Sequence, residues 1–174
     1  LSLGPVSAES GGRAGDVVGE FNVTRTPVYA DANIQTFGSK EVGRFGGLAR
    51  VRLNGLTGLG DETVVSAYTT SDFSEQHVLQ LGHEFRVGGE GLKLGGNFTY
   101  AWTKPSLPGG FRVESETLVA GAYATYPFIR KQARNLFGTI GLDYIDQRTD
   151  TLGIRTNEDR LSVAYARLDF SQTE

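Results

Sequence analysis

The sequence predicts an all-β fold, an antiparallel up-and-down meander of roughly seven or eight long strands. Three observations support this: apolar residues recur at every second position, helical periodicity is hardly seen, and short glycine-bearing turns separate the alternating segments. The 174-residue chain contains 24 glycines but 5 prolines, and the glycines stand singly or in pairs between apolar runs. Such glycines indicate turns and strand interiors rather than a flexible linker.

In the first part of the chain, strands are predicted near 43–55, 62–71, 76–87 and 91–104, with a further strand near 17–29. In "ARVRLNG", Ala49, Val51 and Leu53 alternate with two arginines and an asparagine. The segment 62–71 lies between two short turns, "LTGLGDE" and "SDFSE". In "HVLQLGHEFRV" one face is apolar apart from a histidine, and it consists of Leu79, Leu81, His83, Phe85 and Val87.

The clearest alternation lies in "GLKLGGNFTYAWTK", residues 91–104. The apolar face, which we expect to contact lipid, consists of Leu92, Leu94, Phe98, Tyr100 and Trp102. The opposite face, which we expect to line a wet lumen, carries Lys93, Asn97 and Thr99. Because the apolar face ends in amphipathic aromatic side chains, it has the residues that are enriched where a membrane meets water.

In the second part, strands are predicted near 112–126, 134–147 and 159–171. "ETLVAGAYATYP" has an apolar face made of Leu118, Ala120, Ala122, Ala124 and Tyr126. In "NLFGTIGLDYID" the predicted lipid-facing residues are Leu136, Ile140, Leu142 and Tyr144, and the predicted lumen-facing residues are Thr139 and Asp143. "DRLSVAYARLDF" allows two apolar faces, Leu161, Val163 and Tyr165 or Ala164, Ala166, Leu168 and Phe170.

The predicted strand lengths and connections favour part of an outer-membrane β-barrel. Many of the strands have about ten residues or more, as a membrane-spanning β-strand needs, whereas strands of soluble sheets usually have about 5–6. Longer polar connections are predicted at 104–110 and 147–159, between short turns, which is typical of outer-membrane barrels. A soluble β-sandwich or lipocalin-like barrel would bury the same residues inward, so the pattern leaves both interpretations open.

The composition excludes several other classes. A net charge of −3 gives no basis for binding nucleic acid, and the absence of cysteine rules out disulfides and Cys-ligated metals. No apolar run approaches the length of a transmembrane helix. The sequence contains no methionine, so we expect a processed chain or a piece of a longer protein.

No catalytic, cofactor or metal site is predicted, and we expect a protein that is not an enzyme. His83 lies on an apolar face, where a hydrogen-bonded or interfacial histidine is the simplest interpretation. "GLTGLGD" lies between two strands rather than before a helix, so it cannot hold phosphate as a Rossmann loop does. Asp143, Asp146 and Asp150 are most simply an acidic strand end that leads into a loop.

Short motifs in three segments resemble, in their order along the chain, those of one known protein family. "DANIQTFGSKEVGRFGG" is similar to the first barrel strand of that family through Asn33, Gly38, Ser39 and Gly43. "LNGLTGLGDE" resembles its first hairpin turn through Gly58, Gly60 and Asp61. "YPFIRKQARNLFGTIGLDY" resembles its "YP-x-IR…NL" segment through Tyr126, Pro127, Ile129, Arg130, Asn135 and Leu136. The spacing between Asn33 and Gly38 is longer than in the family pattern.

These motifs resemble the TpsB transporters of two-partner secretion, the hemolysin secretion/activation family of Gram-negative bacteria. The resemblance implies a domain arrangement. Residues 1–29 would be the C-terminal part of a periplasmic POTRA-like domain, and residues 30–174 the N-terminal half of a sixteen-stranded outer-membrane barrel. The full protein would pass an unfolded secreted partner, a TpsA-like exoprotein, through the barrel without a cofactor. The family's Arg-bearing pore loop has no match in this chain, so the chain alone should not transport.

Three functions therefore remain as hypotheses. The first is a fragment of an outer-membrane pore for a secreted protein, with lipid as a partner and no nucleic acid. The second is a surface β-barrel that serves in adhesion or structure without transport, and the third is a soluble β-module that binds a small apolar ligand. Because an incomplete barrel has unpaired edges, the chain is also expected to close as a small barrel or to self-associate through its sheet edges.

Overall fold

The protein was analysed as a computed structural model, which describes residues 2–5, 17–20, 26–36, 44–71, 73, 75–105, 107, 109 and 112–173. Two short strands, β1 (Ser2–Pro5) and β2 (Val17–Glu20), form an antiparallel pair. The other strands form one sheet: β3 (Val28–Gln35), β4 (Gly46–Asn54), β5 (Glu62–Thr70), β6 (Gln76–Val87), β7 (Leu92–Thr103), β8 (Val113–Arg130), β9 (Arg134–Thr151) and β10 (Ile154–Gln172). No helix among the described residues is long and apolar enough to cross a membrane.

The larger sheet is an eight-stranded antiparallel meander in which each strand pairs with its neighbours in sequence. The strand order runs from β10 to β3, and among the described residues these two edge strands do not pair with each other. The predicted all-β meander is therefore confirmed. Of the two expected outcomes for the sheet edges, closure into a small barrel is not seen among the described residues, where both edges stay open, and self-association stays a prediction.

The first strand of the sheet differs from the prediction near 17–29. β2 ends at Glu20, and β3 begins at Val28, directly after Pro27. Within β3 the small or apolar residues Val28, Ala30, Ala32 and Ile34 alternate with polar ones, a pattern that the prediction overlooked. The assignment of residues 1–29 to a POTRA-like domain stays a prediction.

The predicted long connection at 147–159 is also wrong. β9 continues to Thr151 and β10 starts at Ile154, so the connection consists of Leu152 and Gly153, both with positive φ (54° and 79°). Positive φ at both central positions is the geometry of a tight hairpin turn. Residues 147–159 are polar on both faces of the sheet, and a polar segment without alternation is also typical of a loop. Ion pairs between β9 and β10 hold this segment in the sheet.

The register separates the side chains of the sheet into two faces. Gly95, Asn97 and Thr99 lie opposite Tyr123, Gly121 and Val119, and the alternate residues Leu94, Phe98 and Tyr100 lie opposite Ala124, Ala120 and Leu118. We call these the polar face and the apolar face. Among the described residues no hydrophobic side chain is buried, so neither face is covered by a second layer and the sheet has no hydrophobic core.

Candidate functional site

The two faces of the sheet contain every residue that the sequence predicted to face lipid or lumen. Leu92, Leu94, Phe98, Tyr100, Trp102, Leu136, Ile140, Leu142 and Tyr144 all lie on the apolar face. Lys93, Asn97, Thr99, Thr139 and Asp143 all lie on the polar face. The medium that contacts each face stays a prediction.

The last strand joins the apolar face through the second of its two predicted sets. Ala164 pairs with Leu142, Ala166 with Ile140, and Phe170 with Leu136. Leu161, Val163 and Tyr165 therefore lie on the polar face. The sequence of this strand alternates in both phases, so only its pairing with β9 decides between them.

The apolar face is exposed along its length. Ile140 and Leu142 are 65% and 66% exposed, and Leu168 is 72% exposed. Soluble proteins rarely leave contiguous apolar surface of this kind uncovered, and such surfaces mark contacts with a membrane or another protein.

Aromatic side chains lie at both ends of the apolar face. At one end the Trp102 ring stacks on His77, with ring centroids 4.8 Å apart, and lies next to the Tyr100 ring, with centroids 5.4 Å apart. At the other end Tyr126 and Phe128 pack edge to face at 5.2 Å. We call these the aromatic belts. Their arrangement fits the girdles that flank the apolar band of an outer-membrane barrel.

The polar face is held by charge pairs between neighbouring strands. Arg50 on β4 forms a two-point contact with Asp31 on β3, with its Nε 3.0 Å from Oδ1 and its Nη2 3.2 Å from Oδ2. Lys93 Nζ on β7 lies 3.1 Å from Glu84 Oε1 on β6. Because these charges are paired with opposite ones, this part of the face is polar without a strong excess of either sign.

Tyrosines on the polar face lie over glycines of the preceding strand. Tyr123 covers Gly95 and Tyr165 covers Gly141, and in each case a β-carbon on the glycine would overlap the tyrosine ring. Tyr68 covers Gly46 in the same way. The Tyr123 ring is also fixed at its far end, where its hydroxyl donates to Glu84 Oε2 at 2.9 Å.

Asn97 and Asp143 approach each other across Gly121. The three residues lie in one row on β7, β8 and β9, and a β-carbon on Gly121 would meet both neighbouring side chains. Within the described part of the chain, neither side chain has a hydrogen bond or an ion pair. The glycine therefore leaves an open polar notch in the middle of this face.

The turn between β4 and β5 contains Gly58, Gly60 and Asp61 of the predicted motif. The Asp61 carboxylate, which is 3% exposed, accepts hydrogen bonds from the Leu56 amide (2.9 Å), the Thr57 amide (3.0 Å) and the Thr57 hydroxyl (2.7 Å). Gly58 and Gly60 have φ of 81° and 63°, which glycine adopts without strain. The turn is therefore a rigid one that depends on an ionised carboxylate.

Substituting Asp61 by Asn should make this turn independent of pH. The hydrogen bond from Thr57 lowers the pKa of Asp61 below its ordinary value of 3.8. A depressed folded-state pKa stabilises the fold above the unfolded-state pKa, and this stabilisation is lost as pH falls through the folded-state value. We therefore expect Asp61→Asn to lower the unfolding temperature at neutral pH, and the gap to the wild type to narrow below about pH 3.8. Thermal unfolding followed by circular dichroism from about pH 2 to about pH 7 measures the gap, and a constant gap would contradict this role.

The "YP-x-IR…NL" segment forms the end of the β8–β9 hairpin. Pro127 lies at a register shift between Pro127 and Ile129, where a proline without an N–H is tolerated inside a sheet. Tyr126 donates a hydrogen bond to Glu90 Oε2 at 2.8 Å, and Arg130 pairs with Asn135 next to the turn. The turns of two predicted motif segments, between β4 and β5 and between β8 and β9, therefore lie at the same end of the sheet.

The remaining predicted motif residues are less informative. Asn33 lies on the exposed edge strand β3, opposite Leu48. Gly38, Ser39 and Gly43 lie outside the described residues. The roles that the resemblance implies for these residues stay predictions.

Among the described residues, no group of three or more His, Asp or Glu side chains is placed to hold a metal ion. His83 Nδ1 lies 2.8 Å from Thr63 Oγ1, so the hydrogen-bonded interpretation of this histidine is confirmed. Asp143 lies on the polar face, while Asp146 and Asp150 lie on the other. Asp143 and Asp146 are inside β9, and only Asp150 lies at its end, next to the Leu152–Gly153 turn. The sequence interpretation was wrong for Asp143 and Asp146 because polar residues continue the strand past the apolar segment.

Sequence analysis missed the tyrosine–glycine pairs and the Asp31–Arg50 contact. Each joins residues on different strands, so each becomes visible only when the strand register is known. Their one sequence signal is a glycine inside an alternating segment, as at Gly95 and Gly141, since such a glycine often marks close approach of another group.

The fold is similar to solved outer-membrane proteins. No family model matches the sequence, and no curated protein matches it. The structure matches CdiB from Escherichia coli with a TM-score of 0.80 and 16% identity, over 88% of this chain and 30% of that chain. It also matches BamA from Haemophilus ducreyi lacking POTRA domains 1–3, with a TM-score of 0.53 and 16% identity, over 84% of this chain and 29% of that chain.

The present chain therefore spans less than a third of either structure that it matches. At this identity the comparison shows the fold. It confirms the prediction that the meander is part of an outer-membrane type of β-barrel and agrees with the resemblance to the TpsB barrel.

Proposed function

We propose that this chain is part of a bacterial outer-membrane β-barrel of the two-partner secretion type, whose full-length form passes a secreted polypeptide through its lumen. The observation that supports this most directly is the exposed apolar face, which has aromatic belts at both ends and which no second layer covers in the part of the chain that the structure describes. Lipid is the partner that fits such a face. Hydrocarbon chains would cover the apolar side chains between the two aromatic belts, so that no protein layer is needed to keep them from water.

The polar face suits the wall of a water-filled passage. Several of its charges are paired across strands, as in Asp31–Arg50 and Glu84–Lys93, and the rings of Tyr123 and Tyr165 lie over glycines. A wall of this kind presents few fixed unpaired charges to an unfolded polypeptide that moves past it. The secreted partner would be a TpsA-like exoprotein, and residues 1–29 would lie on the periplasmic side. No nucleotide or metal is needed for this role.

The open edges give the isolated chain a second expected behaviour. β10 and β3 present unpaired backbone groups, and such edges pair with other strands when they are exposed. In the longer protein the rest of the barrel would cover them. Alone, the chain would self-associate through these edges, and analytical ultracentrifugation in detergent would detect the oligomers.

The test is the dependence of folding on detergent. We expect the purified chain to show a β-type circular dichroism spectrum and a compact, heat-sensitive band on a detergent gel only when micelles are present. The physical reason is that the apolar face has no cover in water. A cooperative, fully folded protein in plain buffer would overturn the proposal in favour of a soluble β-module.

A further inference from the structure

A network of ion pairs continues the apolar face past one aromatic belt. It consists of Asp146, Arg148, Asp150, Arg155, Glu158 and Arg160, and we call it the ion-pair belt. Asp146 is its centre: Oδ1 lies 3.1 Å from Arg148 Nε and Oδ2 lies 3.4 Å from Arg160 Nε. Glu158 joins Arg160 (2.6 Å) to Arg155 (3.2 Å), and Arg155 Nε lies 3.3 Å from Asp150 Oδ1.

The position of the ion-pair belt follows from the alternation of β9. On the apolar face of this strand, Ile140, Leu142 and Tyr144 are followed directly by Asp146, Arg148 and Asp150. The same change from apolar to charged residues occurs on the neighbouring strand, where Glu158 and Arg160 precede Ser162 and Ala164. The belt therefore begins where the apolar face ends, at the end of the sheet that holds the β9–β10 turn. This is the end opposite the one at which β3 begins.

The charges are concentrated on this face. Besides the belt, this face carries Glu114 and Glu116 of β8 in the same rows. On the polar face the same stretch carries the uncharged Ser115, Thr117, Gln147 and Thr149 and one acidic residue, Asp159. If water contacted both faces of this stretch, the larger number of charged residues on one face would have no physical cause. A layer of charged lipid headgroups that contacts only the outward face would explain the uneven distribution of charge.

We propose that the ion-pair belt binds the phosphate groups of outer-leaflet lipid, together with the divalent cations that bridge them. This inference rests on the proposed function, since it needs the apolar face to be embedded. Arginine pairs with phosphate through two parallel N–H donors. The side chains of Arg155 and Arg160 are 49% and 58% exposed, so both remain accessible from outside although each is paired with two carboxylates.

The acidic half of the belt determines the kind of lipid layer. Arginines alternate with carboxylates, so the belt matches a layer that contains both negative phosphates and positive divalent ions, and does not match a purely anionic surface. Hard divalent cations prefer carboxylate and phosphate oxygens as ligands. Binding should therefore require Mg²⁺ as well as lipid phosphate.

The test compares Arg160→Gln and Arg155→Gln with Arg167→Gln. Arg167 lies on the same strand as Arg160 but on the polar face, where its Nε is 2.9 Å from Asp169 Oδ2, so it is a matched control for the loss of an exposed ion pair. Each protein is folded in detergent, and its unfolding temperature is measured with and without lipopolysaccharide and Mg²⁺. The readout is the change in the unfolding temperature of each protein when lipopolysaccharide is added. Because each variant is compared with itself, any effect of the substitution on the stability of the fold cancels.

We expect lipopolysaccharide with Mg²⁺ to raise the unfolding temperature of the wild type and of Arg167→Gln by about 5 °C or more. Arg160→Gln and Arg155→Gln should each need about tenfold more lipopolysaccharide for the same shift. EDTA should abolish the shift of the wild type, a measurement that needs no variant. Equal shifts for Arg160→Gln and Arg167→Gln, or a shift that survives EDTA, would overturn the inference.

Quenching of the single tryptophan by brominated phosphatidylcholine separates the two proposals. Trp102 lies in the aromatic belt next to the ion-pair belt. If Trp102 is quenched but the lipopolysaccharide shift does not depend on Arg155 and Arg160, the ion-pair belt inference alone fails. If Trp102 is not quenched in vesicles, the membrane-embedded function fails and the inference fails with it.

Discussion

Substitution of Leu142 by Arg should destabilise the folded protein in a lipid bilayer by about 2–4 kcal/mol. Leu142 is 66% exposed on the apolar face and lies between Ala122 and Ala164, midway between the aromatic belts. If this face contacts lipid, an arginine here would sit in hydrocarbon, far from water. Urea unfolding of the protein in phosphatidylcholine vesicles, followed by the heat-sensitive gel band, measures the difference.

Two matched variants define this prediction. Asn97→Arg on the polar face should be tolerated, because the new guanidinium would be in water and close to the unpaired Asp143 carboxylate across Gly121. Phe170→Arg should cost roughly 1 kcal/mol or less, because Phe170 lies near the end of β10, where an arginine reaches the interface. A soluble core would show no such dependence on depth, so equal costs at positions 142 and 170 would contradict lipid contact.

Substitution of Gly95 by Ala should destabilise the sheet by about 1–3 kcal/mol, the usual cost of overpacking. The added methyl group would overlap the Tyr123 ring, which cannot move aside without losing its 2.9 Å hydrogen bond to Glu84. Gly82→Ala is the matched control, because Gly82 lies on the same face of the adjacent strand and its β-carbon would meet nothing within 4 Å. This control should be neutral.

A double-mutant cycle identifies the cause of the Gly95 effect. In a Tyr123→Ala background the ring is absent, and Gly95→Ala should then cost little. Residues in direct contact show coupling energies of about 0.5–3 kcal/mol in such cycles. If Gly95→Ala is equally costly with and without the Tyr123 ring, the cost comes from the backbone conformation of glycine rather than from the close approach of the ring.

The faces of the sheet could be predicted from the sequence because alternation is a local property. A strand of any register places Leu92, Leu94 and Phe98 on one side and Lys93 and Asn97 on the other. The turn at Asp61 was also readable, since glycines and an acidic residue at a hairpin leave few conformations. The roles that follow from a family pattern, such as that of Arg130, depend on more than this chain and stay predictions.

The ends of the strands could not be predicted in the same way. Where β9 and β10 leave the apolar segment, both faces become polar, and the alternation that reveals a strand disappears. The strands continue to 18 and 19 residues because ion pairs such as Arg160–Asp146 replace apolar contacts across the hairpin. A polar stretch can be either a loop or a strand, and the difference is made by its partner.

The sequence by itself determined the class of fold, the two chemically distinct faces and the side chains on most of each face. The tertiary structure decided the phase of β10, the positions of Tyr123 over Gly95 and of the ion-pair belt beside Tyr144, and the open order of the sheet. The physical reason is that period two requires only the backbone geometry of a single strand. Contacts between strands depend on register, which is set by pairing over the whole sheet.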